Sequence, residues 1–211
     1  ASTGWNNLDA KVQLVNKELI VIAGAPSQGK TALARQMFFN RLMEMRKTGD
    51  DGQVIFFTAD DSEDKFVSDM ASTLSYVDAN KIKYNTADAD EWKRYEDAMN
   101  FIETLPLLID ETPAPTIDQI YYRCAMANAQ KPIRLAALDY MTKIKVPDAK
   151  SERQEAEMAA GGCKGIANTF DFPFILLSQI LKEVSKRADK WPTPSDLMYA
   201  GEAEANVCIQ I

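Results

Sequence analysis

Gly24-Ala25-Pro26-Ser27-Gln28-Gly29-Lys30-Thr31 sets two glycines, a lysine and a hydroxyl at the spacing GxxxxGK[ST]. Average residue frequencies produce this run by chance in about one chain per hundred of this length, and its context is more restrictive still. A buried-strand pattern, Leu19 to Ala23, precedes it, and a helical pattern starting at Thr31 follows. The chemistry that needs this arrangement is phosphate binding. Gly24 and Gly29 let the backbone curl so that successive N–H groups face an anion, and the helix N-terminus adds a favourable dipole. Ala25, Pro26, Ser27 and Gln28 complete the cradle. Lys30 can reach the β and γ oxygens of ATP, and the Thr31 hydroxyl can ligate Mg²⁺. Such a site needs an acid at the end of a second strand to hold the metal. Leu135-Ala136-Ala137-Leu138-Asp139 supplies one, and Leu107-Leu108-Ile109-Asp110 supplies a competitor. Asp139 follows the more β-like run and precedes a long loop, as expected at a sheet's carboxyl edge. Asp110 leads into Glu111-Thr112-Pro113, which reads as a turn before a helix cap.

Composition narrows the remaining chemistry. The 211 residues include no histidine, which excludes Ser-His-Asp hydrolases, HExxH metalloproteases and any imidazole base. Twenty-four Lys and Arg stand against 31 Asp and Glu, a net charge of −7. That balance argues against a protein that coats nucleic acid or membrane with its whole surface, though it leaves room for a local basic groove. Cys124, Cys163 and Cys208 form no CxxC pair, so zinc ribbons and Fe–S clusters lack support, and the three read as buried thiols in a reducing compartment. No apolar run approaches the roughly 18 residues of a membrane span.

The elements that must position these residues alternate. Leu19–Ala23, Val54–Phe57, Leu107–Asp110, Ile133–Asp139 and Phe172–Leu177 read as strands. Between them, 31–45, the stretch from Phe66 to about Met99 (broken near Tyr76-Val77 and Asn85-Thr86), 116–128 and 155–168 read as helices, the last weakened by Gly161, Gly162 and Gly165. Ser62 ahead of Glu63 and Asp64, and Thr116, read as N-caps. Long polar loops follow Tyr140 and the fifth strand, and Asn206–Ile211 is a final strand-like run with no turn after it, as if the chain stopped within the fold. Strands alternating with helices imply an α/β fold: a mostly parallel twisted sheet with helices on both faces, in one domain over 1–211.

In these blocks the chain resembles the RecA-like, P-loop ATPase domain of DnaB-type replicative helicases, over nearly its whole length. Thr3-Gly4-Trp5 with Leu8-Asp9 is similar to the segment that opens that domain, and Ala25–Thr31 to its P-loop. Leu138-Asp139-Tyr140 resembles its Walker B strand. Leu176-Leu177-Ser178-Gln179, Arg187-Ala188-Asp189-Lys190, Pro192, Ser195-Asp196-Leu197 and Gly201 follow its third motif in register. The resemblance implies an ATP-dependent motor that translocates on single-stranded DNA as a homo-hexamer in the full-length protein. Its implied partners are a primase and a helicase loader, and its setting is the cytoplasm of a bacterial or bacteriophage-infected cell, with no membrane. Gln179 corresponds to the residue that senses the γ-phosphate. Asp60 stands where the family carries a catalytic glutamate that deprotonates the attacking water. It is one methylene shorter, so its carboxylate would sit about 1.5 Å back, and a displacement near 1 Å can cost about a hundredfold in rate.

The loops after Asp139 and Gln179 correspond to the family's two DNA-binding loops. The first carries Lys143, Lys145, Lys150 and Arg153 against Asp148 and Glu152, and the second Lys182, Lys186, Arg187 and Lys190 against Glu183 and Asp189, a net of +2 each. Translocation must ignore sequence, so these cations are expected on phosphates and not on base edges. The family's arginine finger and amino-terminal ring-forming domain find no counterpart in the sequence, so slow hydrolysis is expected of this chain alone. Two other readings share the motifs: a RecA/RadA-type recombinase or clock-type ATPase, and a nucleotide-gated DNA-binding or loading module with weak hydrolysis, which Asp60 would favour.

Overall fold

The computed structural model describes residues 2–59, 61–147, 149–180 and the strand at 207–210. Its strands are β1 (Leu19–Gly24), β2 (Gln53–Thr58), β3 (Leu107–Asp110), β4 (Ile133–Asp139), β5 (Phe174–Gln179) and β6 (Val207–Gln210). They form a six-stranded sheet in the order β3-β2-β4-β5-β1-β6, with neighbouring strands parallel throughout. All six residues of β1 and of β2 are buried. A parallel sheet covered on both faces has no solvent side, which is why these strands read as continuous apolar runs.

The helices are α1 (Asn6–Asp9), α2 (Lys30–Thr48), α3 (Glu63–Ser75), α4 (Ala79–Lys83), α5 (Ala89–Glu103), α6 (Ile117–Gln130) and α7 (Glu152–Phe170). Successive strand residues point to opposite faces. One set (Leu19, Val21 and Ala23 on β1, Ile55 and Phe57 on β2) joins the core formed with Ile120 and Cys124 of α6 and Ala159, Cys163 and Ile166 of α7. The alternate set meets α2, where the Phe38 ring stands edge-on to Phe56 at 5.0 Å. The helices thus lie on both faces, as expected. Cys124 and Cys163 are buried free thiols, and burial pushes the Cys124 thiol up to about 12 and Cys163 higher than its ordinary value, so neither is a reactive thiolate at neutral pH.

By its internal contacts the chain divides into two compact units, 1–60 with 107–211, and 61–106. In the second unit, Ser62 caps α3 by accepting from the Lys65 N–H, and Asp88 with Glu91 forms a capping box on α5. Tyr95 on α5 donates its hydroxyl to Ser68 on α3 at 2.9 Å. The breaks expected near Tyr76 and Asn85 fall where both residues take φ of 55°, a left-handed conformation that ends a helix.

Helix α2 runs on to Thr48, past the expected end at Met45, and the helices of the second unit extend from Glu63 to Glu103. Three further differences bear on the packing. Strand β5 begins at Phe174, because Asp171 is the left-handed C-cap of α7 and Phe172 still donates its N–H back to Ala167. Helix α7 starts three residues early, at a Ser151 cap, and runs through its glycines to Phe170. A Cβ on Gly162 would lie 2.7 Å from Ile117 atoms, so this glycine is what lets α6 approach α7. Finally, the loop after Tyr140 is not wholly polar. Met141–Lys143 forms a 3-10 turn, and Met141 and Ile144 are buried in the core.

Candidate active site

In a parallel sheet all carboxyl ends share one edge, and the strand order β2-β4-β5-β1 brings the ends carrying Asp139, Gln179 and Gly24 together. Gly24 pairs with Gln179 in register, and the next N–H, of Ile180, donates to the Gly24 carbonyl at 3.3 Å. On the other side, Thr58 pairs with Asp139, and the Ala59 N–H donates to the Asp139 carbonyl at 3.0 Å. The Asp139–Tyr140 peptide is cis.

Between β1 and α2 the loop curls through two left-handed residues, Ser27 (φ 63°) and Gly29 (φ 87°). Gly29 is the N-cap of α2 and offers no side-chain acceptor, and α2 has no acid in its first turn. The contrast with the other long helices is informative. Helices α3, α5, α6 and α7 each begin with a side-chain cap (Ser62, Asp88, Thr116, Ser151) and at least one first-turn acid. Four N–H groups at a helix start need acceptors from outside the helix. At α2 the sequence supplies none from a cap, which leaves a pole suited to an anion.

Lys30 is 9% exposed. Its ammonium donates to the carbonyls of Gly24 at 3.0 Å and Ala25 at 2.9 Å. Burial lowers its pKa from the ordinary value, and the charge of Asp139 opposes that shift. The Thr31 hydroxyl donates to Asp139 Oδ2 at 2.5 Å, across 108 residues of sequence. Two hard oxygens beside a lysine and an uncapped helix start suit a magnesium-bound polyphosphate in donor type. The competing acid is engaged elsewhere. Asp110 lies on the edge strand, takes the Arg123 guanidinium at 3.0 Å and accepts from the Thr112 N–H at 2.9 Å.

The structure therefore brings together Gly24, Ala25, Lys30, Thr31, Asp139 and Gln179. Asp60 lies outside the described residues, as do Lys182, Lys186, Arg187, Lys190 and the motif from Pro192 to Gly201. In the first basic loop, Lys145 and Lys150 are exposed. The Lys145 N–H donates to the Pro115 carbonyl at 3.0 Å, and the Lys150 N–H to Gln154 at 2.8 Å. The Lys143 ammonium sits 5.5 Å from the Tyr140 ring centroid, and Arg153 is ion-paired with Glu157 at 2.8 Å. Sequence reasoning missed the contact of Gln28 Oε1 with the Ala25 N–H, at 2.9 Å. It also missed the absent cap at α2, although the signal was there: glycine stands where the other long helices carry Ser, Asp or Thr.

The chain is similar to known proteins over nearly its whole length. It is 30% identical over 99% of its length to the replicative DNA helicase DnaB of Rickettsia prowazekii, and 31% identical over 99% to that of Rickettsia conorii. A probable replicative DNA helicase of Trieres chinensis is 28% identical over 96% of the chain. The chain spans 44% of the length of each of these relatives. Among solved structures, an ATPase domain superposes with a TM-score of 0.89 at 23% identity, covering 99% of this chain and 74% of that one. A DnaB-like replicative helicase, solved in a study of its interactions with primase, gives 0.89 at 23% identity, covering 98% and 50%. These two likenesses show the fold, a RecA-like parallel sheet. Residues 1–210 match the DnaB-like helicase C terminal domain, and the chain belongs to that family.

Proposed function

We propose that the chain is the motor domain of a replicative helicase, which binds ATP with Mg²⁺ and couples its hydrolysis to movement along single-stranded DNA. The observation that carries this reading is the meeting of Lys30, the uncapped start of α2 and the Thr31–Asp139 pair at one sheet edge, in a chain of this family. Residues 24–31 cradle the phosphates, with Lys30 leaving its carbonyl partners for phosphate oxygens. Thr31 and Asp139 would hold the Mg²⁺, which when bound neutralises charge on the transferred phosphoryl group. Asp60, directly after the residue pinned to Asp139, is the proposed base for water. Gln179, paired with Gly24, is the proposed sensor that would report the γ-phosphate to the loop that follows it.

In this reading Lys143, Lys145, Lys150 and Arg153, with Lys182, Lys186, Arg187 and Lys190, contact DNA phosphates, and the full-length protein works as a homo-hexamer. Partners would include a primase, in line with the related helicase studied with one, and a helicase loader. The bacterial relatives support a bacterial or phage-infected cytoplasm, and among the described residues no helix is long and apolar enough to cross a membrane.

The test is unwinding of a forked duplex by the full-length protein. Wild type is expected to unwind with ATP and Mg²⁺, and Lys30→Ala to lose unwinding and ATPase together; Lys30→Ala with wild-type activity would sink the site. Asp60 favours a second reading, a nucleotide-gated DNA-binding module with weak hydrolysis. Single-turnover ATP cleavage by the full-length protein separates the two, since a gating module leaves ATP intact on the timescale of unwinding. The recombinase alternative is not favoured by the family to which the chain belongs.

A further inference from the structure

We propose that Gln28 is a positioning residue for the phosphate-binding loop. Its side-chain amide clasps the Ala25 N–H and holds the loop in the curl that receives a nucleotide's phosphates. The proposal rests on the nucleotide reading above and assigns a role to a side chain that reading does not need.

Strand β1 ends at Gly24, so the Ala25 N–H is the first amide beyond the sheet and has left the strand ladder. Gln28 Oε1 accepts it at 2.9 Å, and the Gln28 N–H donates to the Ala25 carbonyl at 3.4 Å. The Lys30 ammonium takes the same carbonyl at 2.9 Å. Both polar groups of the Ala25 backbone are thus taken by residues from the far end of the loop. What lies between makes a closing contact necessary. Pro26 has a fixed φ and no N–H to contribute. Ser27 sits at φ 63°, a conformation that a residue with a Cβ adopts reluctantly. Gly29 at φ 87° has no Cβ to restrain it.

The residue type matters. An amide oxygen at the end of two methylenes spans the four-residue ring from its own backbone to the Ala25 N–H. Methionine has the same length and offers only a weak sulfur acceptor. A clasp of this kind acts before the ligand arrives, so its loss should appear as weaker phosphate binding and not as a slower chemical step.

The experiment uses the 211-residue chain and two readouts, fluorescent-analogue binding of ADP and ATP, and amide exchange at Ala25 by NMR in the nucleotide-free protein. Gln28→Met is expected to speed exchange at Ala25 and to raise the Kd for both nucleotides by about threefold to fivefold, the worth of one modest hydrogen bond. Gln28→Glu retains an acceptor of the same reach and should keep Ala25 protected. In full-length protein, Gln28→Met should raise KM with kcat within about twofold, which a general loss of folding would not produce. Faster exchange with an unchanged Kd would overturn the positioning role, and unchanged exchange would overturn the clasp itself. A wild-type chain that binds neither nucleotide would overturn the nucleotide reading itself, and the role of Gln28 with it.

Discussion

Lys30 is held at a cost, and the sign of that cost predicts its pH behaviour. Its folded-state pKa lies below the unfolded value of 10.5, because burial penalises the charged form. The charged lysine therefore weakens the fold at neutral pH, and this penalty is relieved as pH rises through the lowered folded pKa towards 10.5. Nucleotide affinity should run the opposite way, falling over the same window as the ammonium loses its proton. Kd for ADP measured against pH should show that fall beginning below the ordinary lysine range, and Lys30→Arg, which stays charged, should not show it. At the neighbouring chemistry, Asp60→Glu is expected to raise single-turnover ATP cleavage by about tenfold or more, since it restores the missing methylene. An unchanged rate would place the base on another acid. Lys30 and Thr31 were legible in the sequence because phosphate binding demands a rare spacing of glycine, lysine and hydroxyl. The Gln28 clasp was not, since a side chain bonding its own loop leaves no pattern beyond the loop itself.

At the scale of elements, strands and caps were readable because they follow local rules. Ser62 and Thr116 accept the N–H groups three residues on, as their types predict. Helix α7 shows where local rules fail. Its glycines lower intrinsic propensity, yet Gly162 is what allows α6 and α7 to meet, and that tertiary gain could not be seen from composition. The same fact yields a prediction. Gly162→Ala gains helix propensity worth about 1 kcal/mol, but its Cβ would press on branched Ile117 atoms near its backbone, and overpacking costs typically about 1–3 kcal/mol. A net fall in Tm is expected, with recovery in the Ile117→Ala/Gly162→Ala double variant. A stabilised single variant would show that the two helices can part without penalty. The 3-10 turn after Tyr140 was missed for a related reason: Met141 and Ile144 alone among lysines read as loop, and only their burial reveals an anchor.

For the whole molecule, the acidic balance takes on a narrower meaning. The two basic loops carry a net of +4 and the remainder −11, so positive charge is concentrated where DNA is proposed to lie. Replacing Lys145 and Lys150 with alanine in the full-length protein should weaken single-stranded DNA binding uniformly across sequences. It should also flatten the salt dependence, by a slope of about 0.7 for each phosphate that is no longer neutralised. A sequence-selective loss would point to base contacts instead. The order of the sheet also has a consequence for how the domain comes into being. Strand β1 leaves a ribosome well before both its neighbours, β5 and β6, which come from residues 174–179 and 207–210. The strand that launches the phosphate loop must therefore wait, with both hydrogen-bonding edges unpaired, for pairings that span most of the chain, and long-range pairings are the slowest to close. The loop is among the first parts of this domain to be made and among the last to take shape, so a nascent or partly folded chain should neither capture nucleotide nor draw on it for stability until the fold is nearly complete.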